Sequence, residues 1–210
     1  MTERTPRSQT TPADPIAGIM SALLSVHAAM TPEWLVDAAS TAAERGLGAP
    51  FAFVFLEEQD GSLTYKAPAS DLLRRSHQRA ADALGTVLFR TRLAVQDLQV
   101  IAEALDDGSS IAAPITELFS PLISEDRANA AAKELAADFG CVAPLENAGE
   151  RLGALVVLGR NTIEPAHVRL LADHIACASV NLRNADLSRE QGVIDVVRSV
   201  FDARKIESEL

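Results

Sequence analysis

The chain has 210 residues, 48% hydrophobic and 23% charged, a balance that supports a sizeable core and excludes a wholly disordered polymer. Acidic residues exceed basic ones, 29 against 19, and the formal charge of −10 would be repelled by a phosphate backbone, so no nucleic-acid partner is expected. No apolar run approaches the ~18 residues that span a bilayer. Two cysteines, Cys141 and Cys177, make no disulfide framework, so a cytoplasmic protein without membrane contact is expected. Residues 1–14 are polar, rich in Thr and Pro, and read as a disordered tail. Asp14-Pro15 is a helix start, because Asp caps free N–H groups and Pro needs no donor at the first helical position. Ile16, Ile19, Leu23 and Met30, with Met20 and Val26, form an apolar stripe and predict a helix over residues 15–30. Thr31-Pro32 repeats the signal, and Trp34, Leu35, Ala38, Ala39 and Ala42 are the expected inner face of a second helix ending near Gly46 and Gly48.

The period then changes. Phe51, Phe53 and Phe55 alternate with Ala52, Val54 and Leu56, which predicts a strand covered on both faces. Gln59-Asp60-Gly61 turns the chain into a partner strand over 63–67. Residues 71–84 and 95–105 read as amphipathic helices, 111–119 as an edge strand or loop interrupted by Pro114, and 125–139 as an Ala-rich helix. A second hairpin joins 141–145 to 152–158, and Ile163-Glu164-Pro165 opens a long helix. Strands early and late around a helical middle predict an α+β domain with a mostly antiparallel sheet.

One stretch carries a resemblance. Cys141-Val142-Ala143-Pro144-Leu145 leads to Arg151-Leu152-Gly153-Ala154-Leu155-Val156-Val157-Leu158, then to a helix ending Asn184-Ala185-Asp186-Leu187. In order and spacing this resembles the GAF family of sensory domains, over roughly Thr31 to Leu187. The resemblance implies a GAF-like (profilin-like) six-stranded antiparallel sheet with helices on its faces. It also implies a pocket under the variable middle segment, and sensing or dimerisation rather than catalysis. The expected organisation is therefore a tail over 1–14, a helix over 15–30, the GAF-like domain over 31–187 and a helical extension over 188–210.

Candidate chemistry is sparse. One GAF subfamily resembles methionine-sulfoxide reductases with several cysteines, but Cys141 falls in a core strand and Cys177 in a helix, and both are expected to be buried and slow to react. Relatives that attach a bilin use a Cys followed by His, and neither cysteine has that neighbour. The cyclic-nucleotide pattern of other relatives is not matched by Asn129, Lys133 and Phe139, so no response to cAMP or cGMP is expected. His167 and His174 are about 10.5 Å apart along one helix, too far to share an ion. His77, among Arg74, Arg75, Gln78 and Arg79, reads as part of a solvated face, and no metal or haem is expected. Glu57-Glu58 and Asp106-Asp107 read as solvated acid pairs beside turns, and no catalytic constellation emerges. Phe89, Arg90, Arg92, Phe119 and Ser120 remain as pocket candidates, an arginine beside aromatic and hydroxyl groups being suited to a small anion or planar ligand. No cofactor is identified.

Beyond Leu187 the apolar residues recur in sevens. Val180, Leu187, Ile194 and Phe201, with Val193, Val197 and Val200 between, predict a coiled-coil seam and a homodimer, although Gly192 weakens the helix by about 1 kcal/mol. Leu187, Ile194, Val197 and Phe201 are the candidate dimer contacts. The reading is a non-catalytic GAF sensory or regulatory domain in signal transduction, working as a dimer with a small-molecule ligand. A small redox enzyme and a ligand-free dimerisation scaffold are the alternatives.

Overall fold

The computed structural model describes residues 15–85, 89 and 92–208, with residues 15, 190 and 192–208 as backbone only. Helix α1 (Pro15–His27) and helix α2 (Pro32–Ala42) lead into the sheet. Thr31 caps α2, its hydroxyl accepting from the Trp34 N–H at 3.4 Å, and Pro32 occupies the first turn where no donor is needed. The helix widens into a π-turn over Ala43–Leu47 and stops at Gly48, which is left-handed with φ 63°. Here α1 crosses closely: a Cβ on Gly18 would lie 2.6 Å from the Cα of Gly46.

Strand β1 (Phe51–Glu57) turns through Asp60-Gly61 into β2 (Leu63–Lys66). The Asp60 carboxylate holds that turn by accepting from the Ser62 N–H and hydroxyl, at 3.1 and 2.6 Å. Helices α3 (Asp71–Leu84) and α4 (Gln99–Asp107) follow, then β3 (Ile111–Pro114), the one-turn α5 (Ile115–Leu118) and α6 (Glu125–Leu135). The hairpin β4 (Phe139–Asn147) and β5 (Glu150–Gly159) completes the sheet, and α7 (Pro165–Ser208) ends the described chain.

The sheet is antiparallel throughout, in the order β2-β1-β5-β4-β3. It has five strands where six were expected. The middle segment spends its residues on α3 and α4, and what remains of a sixth strand is a single bridge in which Leu93 pairs with Leu63 on the outer edge of β2. Its two faces are covered by separate layers. Ala52, Val54, Cys141, Ala143, Leu155 and Val157 face α1, α2 and α7, whereas Phe51, Phe53, Phe55, Val142 and Val156 face α3 to α6. Leu152 and Leu155 share the α7 side although three residues apart, so the strand's alternation slips once between them. The slip falls at Gly153, whose φ of +147° suits glycine and where a Cβ would overlap the Phe55 carbonyl oxygen.

Helix α7 is 44 residues long, about 66 Å at 1.5 Å per residue, and runs unbroken through Gly192. Val168, Leu171, Ile175 and Ala178 form its buried seam. The helix expected over 15–30 stops at His27, and its stripe divides: Ile19, Leu23 and Val26 are buried, Ile16 and Met20 are exposed, and Met30 lies exposed beyond the helix end. Trp34 also differs from expectation. The buried stripe of α2 is Leu35, Ala38, Ala39 and Ala42, and Trp34 stands at its edge, 59% exposed, over a groove beside Ser25 and Thr41.

Candidate functional site

The chemistry-bearing groups converge where the first hairpin meets α3. Tyr65 comes from β2, and the link to α3 is pinned from behind by Asp37 of α2. Its carboxylate accepts from the Ala69 N–H at 2.8 Å and from the Ser70 N–H at 3.0 Å. Ser70 then caps α3 by accepting from the Leu73 N–H. On α3, Arg74, Arg75, Gln78 and Arg79 are exposed, as read from sequence, but His77 is not. It shares the inward stripe of Ala80, Ala81 and Leu84, at three- and four-residue spacing, and is 4% exposed.

His77 Nδ1 lies 2.6 Å from the Tyr65 hydroxyl oxygen, and Nε2 has no hydrogen-bond partner. The imidazole packs edge-on to Phe53 with centroids 4.9 Å apart, and Phe89 meets both Phe53 and Tyr65 edge-on at 5.1 and 4.9 Å. Burial among these rings disfavours a charge, so the His77 pKa falls from 6.5 to about 4, and the Tyr65 phenol is pushed well above its ordinary value. At neutral pH both groups are therefore uncharged. A half-open cavity of about 230 Å³ borders them, lined also by Ala67, Pro68, Arg74, Gln78, Ala81 and Phe89. Arg74 stands at its rim with its Nε–H donated to the Pro68 carbonyl at 2.9 Å, and the Gln78 amide donates to Asp82 at 2.7 Å.

Of the residues proposed from sequence, Phe89 alone lines this cavity. Arg92 is exposed and pairs with Asp60 at 3.2 Å, Phe119 is buried in the core beneath α5 and α6, and Ser120 is exposed beyond α5. Arg90 lies outside the described residues, as do residues 1–14 and the side chains of Ile194, Val197 and Phe201. Leu187, the first dimer candidate, is exposed on α7.

A second cleft, of about 260 Å³, opens on the other side of the sheet between α2 and α7 and is floored by Leu35, Val54, Leu56, Leu152 and Leu182. Glu57 and Glu58 beside it are held in ion pairs rather than solvated, while Asp106 and Asp107 are exposed as expected. Arg151 grips Glu57 through two nitrogens at 2.5 and 2.6 Å and reaches Asp106 at 3.8 Å, and Glu58 pairs with Lys66 at 3.6 Å. The long-range pairing of β1 with β5 causes this, bringing Glu57 and Arg151 side by side from 94 residues apart.

The cysteines part company. Cys141 is fully buried in β4 with its pKa pushed up to about 12 by desolvation and by the nearby Glu164 charge, whereas Cys177 is exposed on α7, against the expectation of burial. Its helical position points away from the seam of Ile175 and Ala178. His174, too far along the helix from His167 to share an ion with it, instead meets His27 of α1, Nδ1 to Nε2 at 3.0 Å. Among the described residues no group of three or more His, Cys, Asp and Glu side chains is placed to hold a metal ion. No described helix is long and apolar enough to cross a membrane.

No protein-family model matches the chain, and no curated protein matches it. Solved structures do. The GAF domain of a phosphoenolpyruvate-protein phosphotransferase from Coxiella burnetii superposes with a TM-score of 0.60 at 15% identity, covering 83% of this chain and 97% of that one. The chromophore-binding domain of a bacteriophytochrome from R. palustris gives a TM-score of 0.53 at 11% identity over 81% of this chain. That of Stigmatella aurantiaca bacteriophytochrome gives 0.51 at 13% over 87%. The chain spans 62% and 64% of those two bacteriophytochrome fragments. With this coverage and an antiparallel sheet ordered β2-β1-β5-β4-β3, the chain has the GAF fold.

Proposed function

We propose that the chain is a non-catalytic GAF-type sensory or regulatory module of signal transduction, which takes a small molecule in the Tyr65–His77 cavity and works as a homodimer. The observation that carries this reading is the cavity itself, bordered by a buried imidazole with a nitrogen left unpartnered. Its lining sets Tyr65, Phe89, Ala67 and Pro68 beside the polar side chains of Arg74 and Gln78, an apolar hollow with a few polar groups of the kind that takes a small molecule. The route outward is short. Phe53 touches His77 on one face of β1, and its neighbours Ala52 and Val54 belong to the core shared with α2 and α7.

Dimerisation draws support from apolar residues left outside the core. Met20 and Leu24, one turn apart on α1, are 54% and 81% exposed, and Leu187 is exposed on α7. A 44-residue helix that leaves its sheet is suited to pairing with a copy and passing on a shift or twist. The exposed and buried thiols, Cys177 and Cys141, suit a reducing cytoplasm.

A thermal-shift screen of uncharged, anionic and cationic small molecules tests the sensing role. A ligand at ~100 times its dissociation constant stabilises by about 2.7 kcal/mol, enough to read. A saturable shift that His77→Phe removes supports it, and no response from any class leaves the ligand-free scaffold instead. Light scattering tests the dimer: Leu24→Asp with Leu187→Asp should turn a dimer into a folded monomer, and a wild type already monomeric at micromolar concentration refutes dimerisation.

A further inference from the structure

We infer that His27 and His174 form a two-imidazole site for a borderline divalent transition-metal ion, Cu2+, Ni2+ or Zn2+, that ties helix α1 to helix α7. The site lies on the opposite side of the sheet from the Tyr65–His77 cavity and does not depend on it. Within α7 the neighbouring histidine, His167, is about 10.5 Å from His174 along the axis. The fold supplies the second imidazole from another helix, 147 residues back in the chain. Packing sets the position of both rings. His27 stands in the last turn of α1 beside Val26, and His174 stands beside Ile175; Val26 and Ile175 are fully buried in the same core. The helices are thus held in place before any ion arrives, which is what a metal site most needs from its scaffold.

The spacing is that of a chelate. Nε2 of His27 and Nδ1 of His174 are 3.0 Å apart, on rings that stand 83° to one another. Two imidazole nitrogens each ~2.0–2.1 Å from one ion are about 2.9 Å apart at a right angle and about 3.4 Å apart at the tetrahedral angle. The observed distance is at the right-angle end, the adjacent positions of a square-planar or octahedral ion. Cu2+ and Ni2+ therefore fit with little change in spacing, whereas Zn2+ asks the rings to part by about 0.4 Å. His27 is exposed and His174 half-buried, so His27 has the freedom to turn its lone pair onto the shared ion. Ligand type narrows the choice further. Neutral imidazole suits Cu, Ni and Zn, and a pair without carboxylate oxygens offers Mg2+ and Ca2+ nothing hard to bind. Among the described residues no third His, Cys, Asp or Glu completes a group, so water fills the remaining positions, and a hollow of about 150 Å³ beside His27 gives it room. The proton count closes as well. Each neutral ring carries one hydrogen, and the ring that donates across the contact moves its own to its outer nitrogen, Nδ1 of His27 or Nε2 of His174. Both facing nitrogens then present lone pairs and no proton is released.

Calorimetric titration of the untagged, metal-free full chain with Cu2+, Ni2+, Zn2+ and Mg2+ at pH 7.5 tests this. The chain carries Cys177→Ser, which removes the exposed thiol one turn from His174 as a rival ligand. One ion per chain is expected, with Cu2+ bound most tightly and Mg2+ not at all. His27→Ala and His174→Ala should each weaken Ni2+ at least about tenfold, and His167→Ala should leave it unchanged, with circular dichroism confirming that every variant is folded. Ni2+ should also raise the melting temperature of the parent chain and of neither His27→Ala nor His174→Ala. Binding lost with His174→Ala but kept with His27→Ala is a lone-histidine contact and overturns the chelate. Binding that survives both substitutions, or no binding of any of the four ions at millimolar concentration, overturns it too. None of these results bears on the small-molecule reading of the Tyr65–His77 cavity.

Discussion

Acid should destabilise this protein through His77 in a way that one substitution can isolate. In the unfolded chain the imidazole titrates near 6.5, and in the fold it titrates near 4 because the charged form would sit among Phe53, Tyr65 and Phe89. Between those values the unfolded chain binds more protons than the folded one, so stability rises with pH. The contribution is complete above 6.5 and is lost as pH falls towards 4. At pH 5.5, still above the pI of about 4.8 where solubility is least, the loss from this group alone is about 1.4 kcal/mol relative to pH 8. His77→Gln keeps a hydrogen-bonding side chain but does not titrate, and every other ionisable group is common to both proteins. Urea unfolding of the two at pH 8 and pH 5.5 should find the variant less stable at pH 8 and the gap narrowed by about 1.4 kcal/mol at pH 5.5. In melting temperature that is roughly 3–6 °C for a chain of this size. A gap that does not change with pH would refute a buried, neutral His77.

The sheet and the thiols give three more expectations. Gly153→Ala places a Cβ against the Phe55 carbonyl oxygen and 2.9 Å from the Leu56 Cα, at a φ that L-residues avoid, and should cost at least about 3 kcal/mol or abolish soluble expression. Arg151→Met leaves the Glu57 carboxylate part-buried without its two donors, and should lower stability by about 1–2 kcal/mol in urea, with Glu57→Gln in the same chain recovering part of the loss. A thiol reagent should label one cysteine per native chain rapidly and the second only on unfolding, and Cys177→Ser should remove the fast phase; fast labelling of Cys141 would contradict its burial in β4.

The sheet and its covering helices were legible because each announces its period. Phe51, Phe53 and Phe55 alternate with small residues, and Val168, Leu171, Ile175 and Ala178 recur at three and four, so β1 and α7 follow from local pattern alone. The candidate site was less legible for a definite reason. His77 stands in sequence among Arg74, Arg75, Ser76, Gln78 and Arg79, and its inward direction emerges only when it is counted at three- and four-residue spacing with Ala80, Ala81 and Leu84. Its partner Tyr65 lies in a four-residue strand, and no local signal links the two. The same holds for Glu57 with Arg151 and for His27 with His174, pairs 94 and 147 residues apart that only the sheet register and the docking of α1 on α7 bring together.

The alternation in β1 has a further consequence for the proposed signalling role. Its phenylalanines all face the cavity layer, whereas Ala52 and Val54 on the reverse face belong to the other core, where α2 packs on β1. The two layers are thus separated by one strand with large rings on one side and little side-chain volume on the other. Close-packed interiors transmit displacement rather than absorb it. A ring inserted beside Phe53 bears on α2, which packs on β1 and also touches α7, and on the proposed reading that places the input and the output of the module on opposite faces of the same sheet.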